Sequence, residues 1–171
     1  MLLRRATDAE LPEVVDLVNL TFRGSKGWAV EFAVVEGPRI TLENLRADIA
    51  AKPEALQLVW RDEQDDSLLG SVWIEPVGDD VWYLGLLCVE PDAQTKQLGR
   101  TLLTASEESA KERGARRMRI SVMNVRDTLM QWYERRGYVQ TGQTKPFPYG
   151  DERVGKPMRD DLSFFILEKE L

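Results

Sequence analysis

The segment PDAQTKQLGRTLL, residues 91–103, lies between an apolar run, VWYLGLLCV (81–89), and a stretch with helical periodicity. Amides at the start of a helix are unpaired and, with the helix dipole, make a ready anion site that suits a phosphate. The segment holds one glycine, Gly99, and carries Gln97 where a phosphate loop commonly has another. From these residues alone three readings stay open: a damaged nucleotide loop, a coenzyme site of another kind, or a plain strand-to-helix turn. Gln97 fits a working loop if its φ stays negative and its side chain turns outward. Lys96 and Arg100 would add positive charge beside a phosphate.

The chain on either side reads as alternating layers. LLRR at the start is a short strand. TDAE follows as a capping box, Thr7 with Glu10, and opens a helix whose Leu11, Val14, Val18 and Phe22 share a face. RGSKGW (23–28) is loop, and TLENLRADIAA (41–51) is a second helix. LQLVWR (56–61), LLGSVWIEPV (68–77) and VWYLGLLCV then make an antiparallel meander, with DEQDDS and GDD as turns. From residue 97 a helix presents Leu98, Leu102, Ala105, Ser109 and Ala110, and Gly114 ends it. Met118, Ile120 and Val122 alternate as a strand. A short helix with Val125, Leu129 and Trp132 or Tyr133 inward leads to strands at 138–141 and 162–169, joined by the loop TKPFPYGDERVGKP. The predicted class is α+β, a mixed, mostly antiparallel sheet of six or seven strands flanked by about four helices.

Composition narrows the chemistry. At 171 residues, one domain spanning 1–171 is the expectation, with 43% hydrophobic and 30% charged residues as in ordinary globular proteins. No apolar run is long enough to cross a bilayer, and MLLRRATDAELPEVV lacks the apolar core of a signal peptide, so a cytoplasmic location is expected. A formal charge of −6 argues against nucleic acid as a partner and leaves room for a cationic amine. Lys111, Arg113, Arg116, Arg117 and Arg119 are read as a solvated surface. The chain has no histidine and one cysteine. Histidine-dependent hydrolase triads are therefore excluded, and no metal site is expected.

A second segment, NVRDTLMQWYERRGY (124–138), follows the first at about thirty residues' distance. Together with LGLLCVEPDAQTKQLGRTLL (84–103) and the order of elements, it resembles the GNAT superfamily of acyl-CoA-dependent N-acyltransferases. The first stretch is similar to that family's acyl-CoA motif, Gln94 matching its first position and Gly99 its last, with Gln97 departing from the usual glycine. The second is similar to the family's Asn … Tyr-Glu-x-x-Gly-Phe segment.

The resemblance implies roles for individual residues. Gln94, Thr95, Lys96, Gln97, Leu98, Gly99 and Arg100 would hold the pyrophosphate of acetyl-CoA. Leu87, Cys88 and Val89 would pair through their backbone with its pantetheine arm and polarise the thioester. Asn124 matches an asparagine on the same arm, or caps the helix that follows. Arg135 or Arg136 would reach the 3′-phosphate. Tyr133 matches the tyrosine that protonates the departing thiolate, or is a core residue. Cys88 reads as packing rather than as a nucleophile. The general base is open among Glu31, Glu75, Asp79 and Asp80, with the aspartates equally explained as turn residues. Tyr83 stands at the fourth-strand position that holds a carboxylate in some members. Glu31 is preferred as base, and Trp28, Arg39 and Tyr83 are expected to bind the acceptor.

The implied activity is transfer of an acetyl group from acetyl-CoA to a primary amine by direct attack, with no metal. The acceptor is a small molecule or a peptide; an antibiotic, a polyamine and a protein N-terminus all fit. The alternative is a non-catalytic acyl-CoA-binding or regulatory module. No membrane partner is expected, and the resemblance admits a homodimer.

Overall fold

In the computed structural model, residues 3–24 and 34–171 are described. In chain order the elements are β1 (Leu3–Arg5), α1 (Leu11–Arg23), β2 (Val35–Glu36), α2 (Leu42–Ala51), β3 (Leu56–Arg61), β4 (Leu68–Gly78), β5 (Val81–Val89), α3 (Leu98–Glu112), β6 (Arg117–Met123), α4 (Asp127–Glu134), β7 (Val139–Pro146), β8 (Lys156–Pro157) and β9 (Ser163–Glu170). Seven strands form one sheet in the order β1-β3-β4-β5-β6-β9-β7, and β2 pairs with β8 in a separate ribbon. Within the sheet only β5 and β6 run parallel. The predicted class is what the chain adopts.

Local chemistry explains most boundaries. Glu10 accepts from the Thr7 amide at 3.0 Å, so the predicted box closes, although its first turn is a 3-10 helix, Asp8–Glu10, that leads into α1. Thr41 caps α2 by accepting from the Asn44 amide at 3.1 Å. Asp79 and Asp80 both have positive φ, 51° and 60°, which gives the β4–β5 hairpin the twist of a two-residue primed turn. These aspartates are turn residues, as their alternative explanation held.

The sheet separates two cores. Leu58, Val72, Ile74, Met118 and Ile120 meet Leu102, Leu103 and Ala110 of α3 on one face. On the other, Val59, Trp73 and Cys88 meet Leu11, Val14 and Val18 of α1 and Leu45 of α2. A third cluster, Val35, Met123, Phe147 and Leu162, lies where the β7–β9 connection folds back.

Three expectations are corrected. The buried face of α3 runs through Gly99, Leu102, Leu103, Ser106, Glu107 and Ala110, so Ser109 turns away from it. Ser106 is tolerated there because its hydroxyl donates to the Leu102 carbonyl at 2.7 Å. The strand expected at 138–141 extends to Pro146, and the segment read as loop contributes β8. Pairing of β8 with β2 is long-range and leaves no mark in the local pattern.

Candidate active site

β5 and β6 pair only at Val81–Tyr83 with Arg117–Arg119, and beyond Tyr83 they part. On its other edge β5 stays paired to β4 as far as Val89. One edge of β5 from residue 84 onward therefore lacks a strand partner among the described residues, and backbone groups of such an edge can bind an extended ligand arm. Within this stretch two β5 residues, Leu86 and Leu87, stand opposite Val72 alone. Leu86 occupies the left-handed region at φ 52°. This bulge shifts the alternation of side chains by one: Trp82 and Leu84 face α3 before it, Leu87 and Val89 after it. A uniformly apolar run gives no sign of the shift.

The gap holds a cavity of about 200 Å³. Its walls include Leu84 to Leu87 of β5, Ile120 to Met123 of β6, and Tyr133 and Leu129 of α4. Arg39, Phe147 and Val154 line its other side. Tyr83 and Ser121 share a 2.8 Å hydrogen bond across the gap. The Tyr83 ring lies over Gly85, where a Cβ would come within 3.0 Å of it. Gly85 is thus a space requirement rather than a turn.

Tyr133 is buried, and its ring meets Trp132 and Tyr138 edge-on at 5.0 and 5.5 Å. Burial, reinforced by Tyr83, holds its phenol above the ordinary tyrosine pKa, so it keeps its proton at neutral pH. Tyr133 is a core residue and also lines the cavity. Cys88 is buried beneath α1, and its thiol is pushed up to about 12 by burial. It donates to the Ser71 carbonyl at 3.6 Å. It packs; it is not an activated nucleophile.

The loop after β5 departs from expectation at one residue. Pro91–Lys96, which contains Gln94, Thr95 and Lys96, forms a 3-10 turn, and α3 starts at Leu98. Gln97 between them has φ 57° and ψ 27°, not the negative φ required above. Its side chain is exposed, as expected. The turn needs a left-handed residue whether or not a glycine occupies it, and glutamine adopts that conformation at a cost of about 1 kcal/mol. Gly99 is buried at the start of α3 and Leu98 is half-buried.

Beside this helix start, Arg100, Arg135, Arg136 and Lys169 surround a second cavity of about 460 Å³, together with Glu107. Glu107 is held by Lys169 at 2.6 Å. The Arg136 guanidinium stacks 4.0 Å from the Trp132 centroid, and its Nε is buried without a hydrogen-bond partner. Burial, Arg100 and Arg135 all depress its pKa. Three cations gathered without an acid between them repel one another, and an anion would relieve that.

Asn124 is corrected in part. Its Oδ1 accepts from the Ser163 amide at 3.1 Å and its Nδ2 donates to the Asp161 carbonyl at 2.8 Å. Arg126, not Asn124, is the N-cap of α4. The asparagine pins the end of β6 to the start of β9. Arg39 is brought to the cavity by Asn19, whose Oδ1 accepts from the amides of Arg39 and Ile40 and whose Nδ2 donates to the Ile40 carbonyl. This role of Asn19 rests on contacts about twenty residues along the chain and leaves no local sign in the sequence. Glu75 is an ion-pair partner of Lys52 at 3.1 Å and accepts from the Trp73 indole, and it does not line the cavity between β5 and β6. Trp28 and Glu31 lie outside the described residues. Among the described residues no cluster of acidic, histidine or cysteine side chains could hold a metal, and no helix is long and apolar enough to cross a membrane.

Comparison with known proteins gives the family context. The profile of the acetyltransferase (GNAT) family matches residues 16–138. No curated protein matches significantly. Among solved structures, a ribosomal-protein-alanine N-acetyltransferase from Brucella melitensis superposes with a TM-score of 0.70 at 21% identity, covering 100% of both chains. A variant of the spermidine N-acetyltransferase from Vibrio cholerae gives 0.70 at 15% identity, over 99% of this chain and 95% of that one. A GCN5-related N-acetyltransferase from Kribbella flavida gives 0.68 at 19%, over 99% and 97%. At these identities the structures establish a shared fold and no shared substrate.

Proposed function

The chain belongs to the acetyltransferase (GNAT) family, and on that premise we propose that it transfers an acetyl group from acetyl-CoA to a primary amine within a ternary complex. The observation that carries the reading is the parting of β5 from β6 beside a cavity lined by Tyr133. The coenzyme supplies an activated thioester. Backbone groups on the free edge of β5, at Leu87, Cys88 and Val89, bind its arm as an added strand would be bound. The same backbone offers donors for the negative charge that develops on the acyl oxygen. The 94–100 loop and the start of α3 take the pyrophosphate, and Arg100, Arg135 and Arg136 take the 3′-phosphate.

Tyr133 acts as general acid. As the C–S bond breaks, its hydroxyl gives a proton to the leaving sulfur and recovers one from the newly acylated nitrogen through solvent. Burial keeps the proton on the Tyr133 hydroxyl at neutral pH until the thiolate forms. We assign the base to Glu31 from the sequence. Positioning of amine and thioester supplies much of the acceleration, so a modest base suffices.

The test is calorimetric titration with acetyl-CoA and dephospho-CoA, followed by release of the CoA thiol with an amine panel. Micromolar binding of acetyl-CoA, weaker binding of dephospho-CoA and amine-dependent thiol release are expected. Binding without release for any amine would make the protein a non-catalytic acyl-CoA binder. No binding would remove the coenzyme reading.

A further inference from the structure

The cavity between β5 and β6 has a charge opposite to that of the chain around it. The chain carries 29 acidic against 23 basic residues. The described residues that line the cavity include Arg23, Arg39 and Lys145 and no carboxylate. The three cations are not equivalent. Arg23 donates to the carbonyls of Gly37 and Val154 at 3.0 and 3.1 Å, and so ties the end of α1 to the two segments that close the cavity. Among the described residues Arg39 and Lys145 make no ion pair; the Arg39 guanidinium lies 5.9 Å from the centroid of the Phe22 ring, and Arg39 also lines a smaller cavity with Asp48 and Asp151, both already engaged by Arg153. Arg39 is half-buried, held in place through its backbone by Asn19. A partly desolvated guanidinium whose five donors make no hydrogen bond among the described residues, on a backbone held in place, suits a carboxylate.

From this arrangement we infer that the acceptor is a small amine that also bears a carboxylate, an amino acid rather than a polyamine, and that Arg39 with Lys145 binds the carboxylate. A diamine or polyamine would bring a second positive charge against these cations, which disfavours it as strongly as an anion is favoured. A cavity of about 200 Å³ limits the acceptor to a small molecule. This inference rests on the acyltransferase reading for the identity of the reacting amine, but not for the carboxylate site itself.

Two measurements test it on the full-length protein. In the first, thiol release from acetyl-CoA is followed with the standard α-amino acids, each against the amine left when its carboxylate is removed, and with 1,4-diaminobutane. For the best substrate, kcat/KM is expected to favour the amino acid by about ten- to a hundredfold, as for a hydrogen-bonded charge. Arg39→Gln is expected to abolish most of that preference through KM, and Arg39→Lys to restore part of it. Lys145→Gln, at an exposed position, is expected to reduce the preference in a protein of unchanged thermal stability. In the second measurement, the same amino acids and amines are titrated by ligand-observed NMR without turnover, against wild type and Arg39→Gln.

Equal or better turnover of the amines overturns the inference, as does a preference that survives Arg39→Gln. Absence of binding by every amino acid, in protein that binds acetyl-CoA, overturns it too. Arg39-dependent binding of amino acids in protein that fails to bind acetyl-CoA supports the carboxylate site and removes the acyltransferase reading instead.

Discussion

Two groups of arginines in this molecule are built in opposite ways. Under α1, Glu10 accepts from Arg4 at 2.7 and 3.0 Å and from Arg61 at 2.8 Å, and Arg61 also reaches Glu13 at 2.9 Å. Every charge there is answered within the protein. Around the two cavities, Arg39, Arg100 and Arg135 make no ion pair among the described residues, and the buried Nε of Arg136 has no hydrogen-bond partner. Closed networks hold a fold together. Open ones cost stability and persist where something else supplies the missing charge.

The same contrast extends to Tyr133, a buried phenol left facing a cavity, and the largest expected effect belongs there. Tyr133→Phe should lower kcat by about a hundredfold or more, the contribution of a positioned acid, while acetyl-CoA binding stays nearly intact. Stopped-assay rates and calorimetry on the same preparation decide it. Equal turnover would return Tyr133 to the core alone.

On the closed side, Glu10→Gln should destabilise by about 3 kcal/mol, since it leaves two arginines close together with their shared acceptor uncharged. Urea unfolding measures this, and catalysis should be unaffected at temperatures where the variant is folded. The pH dependence follows in sign. Arg4, Arg61 and the Thr7 amide hold the Glu10 carboxyl well below its ordinary range. Its contribution is therefore complete at neutral pH and is lost as the pH falls below about 4, where the unfolded chain takes up the proton first. The variant's stability should change less than wild type's over that window.

Arg136→Gln, on the open side, should weaken acetyl-CoA about tenfold with little effect on dephospho-CoA, the amount of one charge-assisted contact. Equal weakening of both ligands would move the 3′-phosphate elsewhere. The smallest effect is expected at Gln97. Gln97→Gly removes a strained left-handed conformation and should stabilise by about 1 kcal/mol or less, partly offset by the freedom glycine gives the unfolded chain. Acetyl-CoA affinity should hold or rise; a large loss would make the glutamine side chain a ligand.

Much of the architecture was legible because it is encoded locally. Thr7 with Glu10, Thr41 before α2, and Asp79-Asp80 between two apolar runs are short-range hydrogen-bond and dihedral requirements, and each sits where its residues imply. Apolar runs bounded by turn residues place β3 and β5 at their observed bounds. The two motifs of the coenzyme region were legible as a resemblance, and the family profile covers both.

What the sequence by itself determined, then, is the order and kind of most elements and the absence of histidine chemistry, while it left the inner face of α4 open between Trp132 and Tyr133. Those follow from composition and from contacts a few residues apart. Only the tertiary structure decided how far β5 and β6 part, where the bulge at Leu86 reverses the facing of Leu87 and Cys88, and which of the many charges remain unanswered. Arg39 and Lys145 are more than a hundred residues apart in the chain yet line one cavity. Their meeting depends on strand pairing and on the fold-back of the β7–β9 connection, interactions between distant residues that no local pattern records.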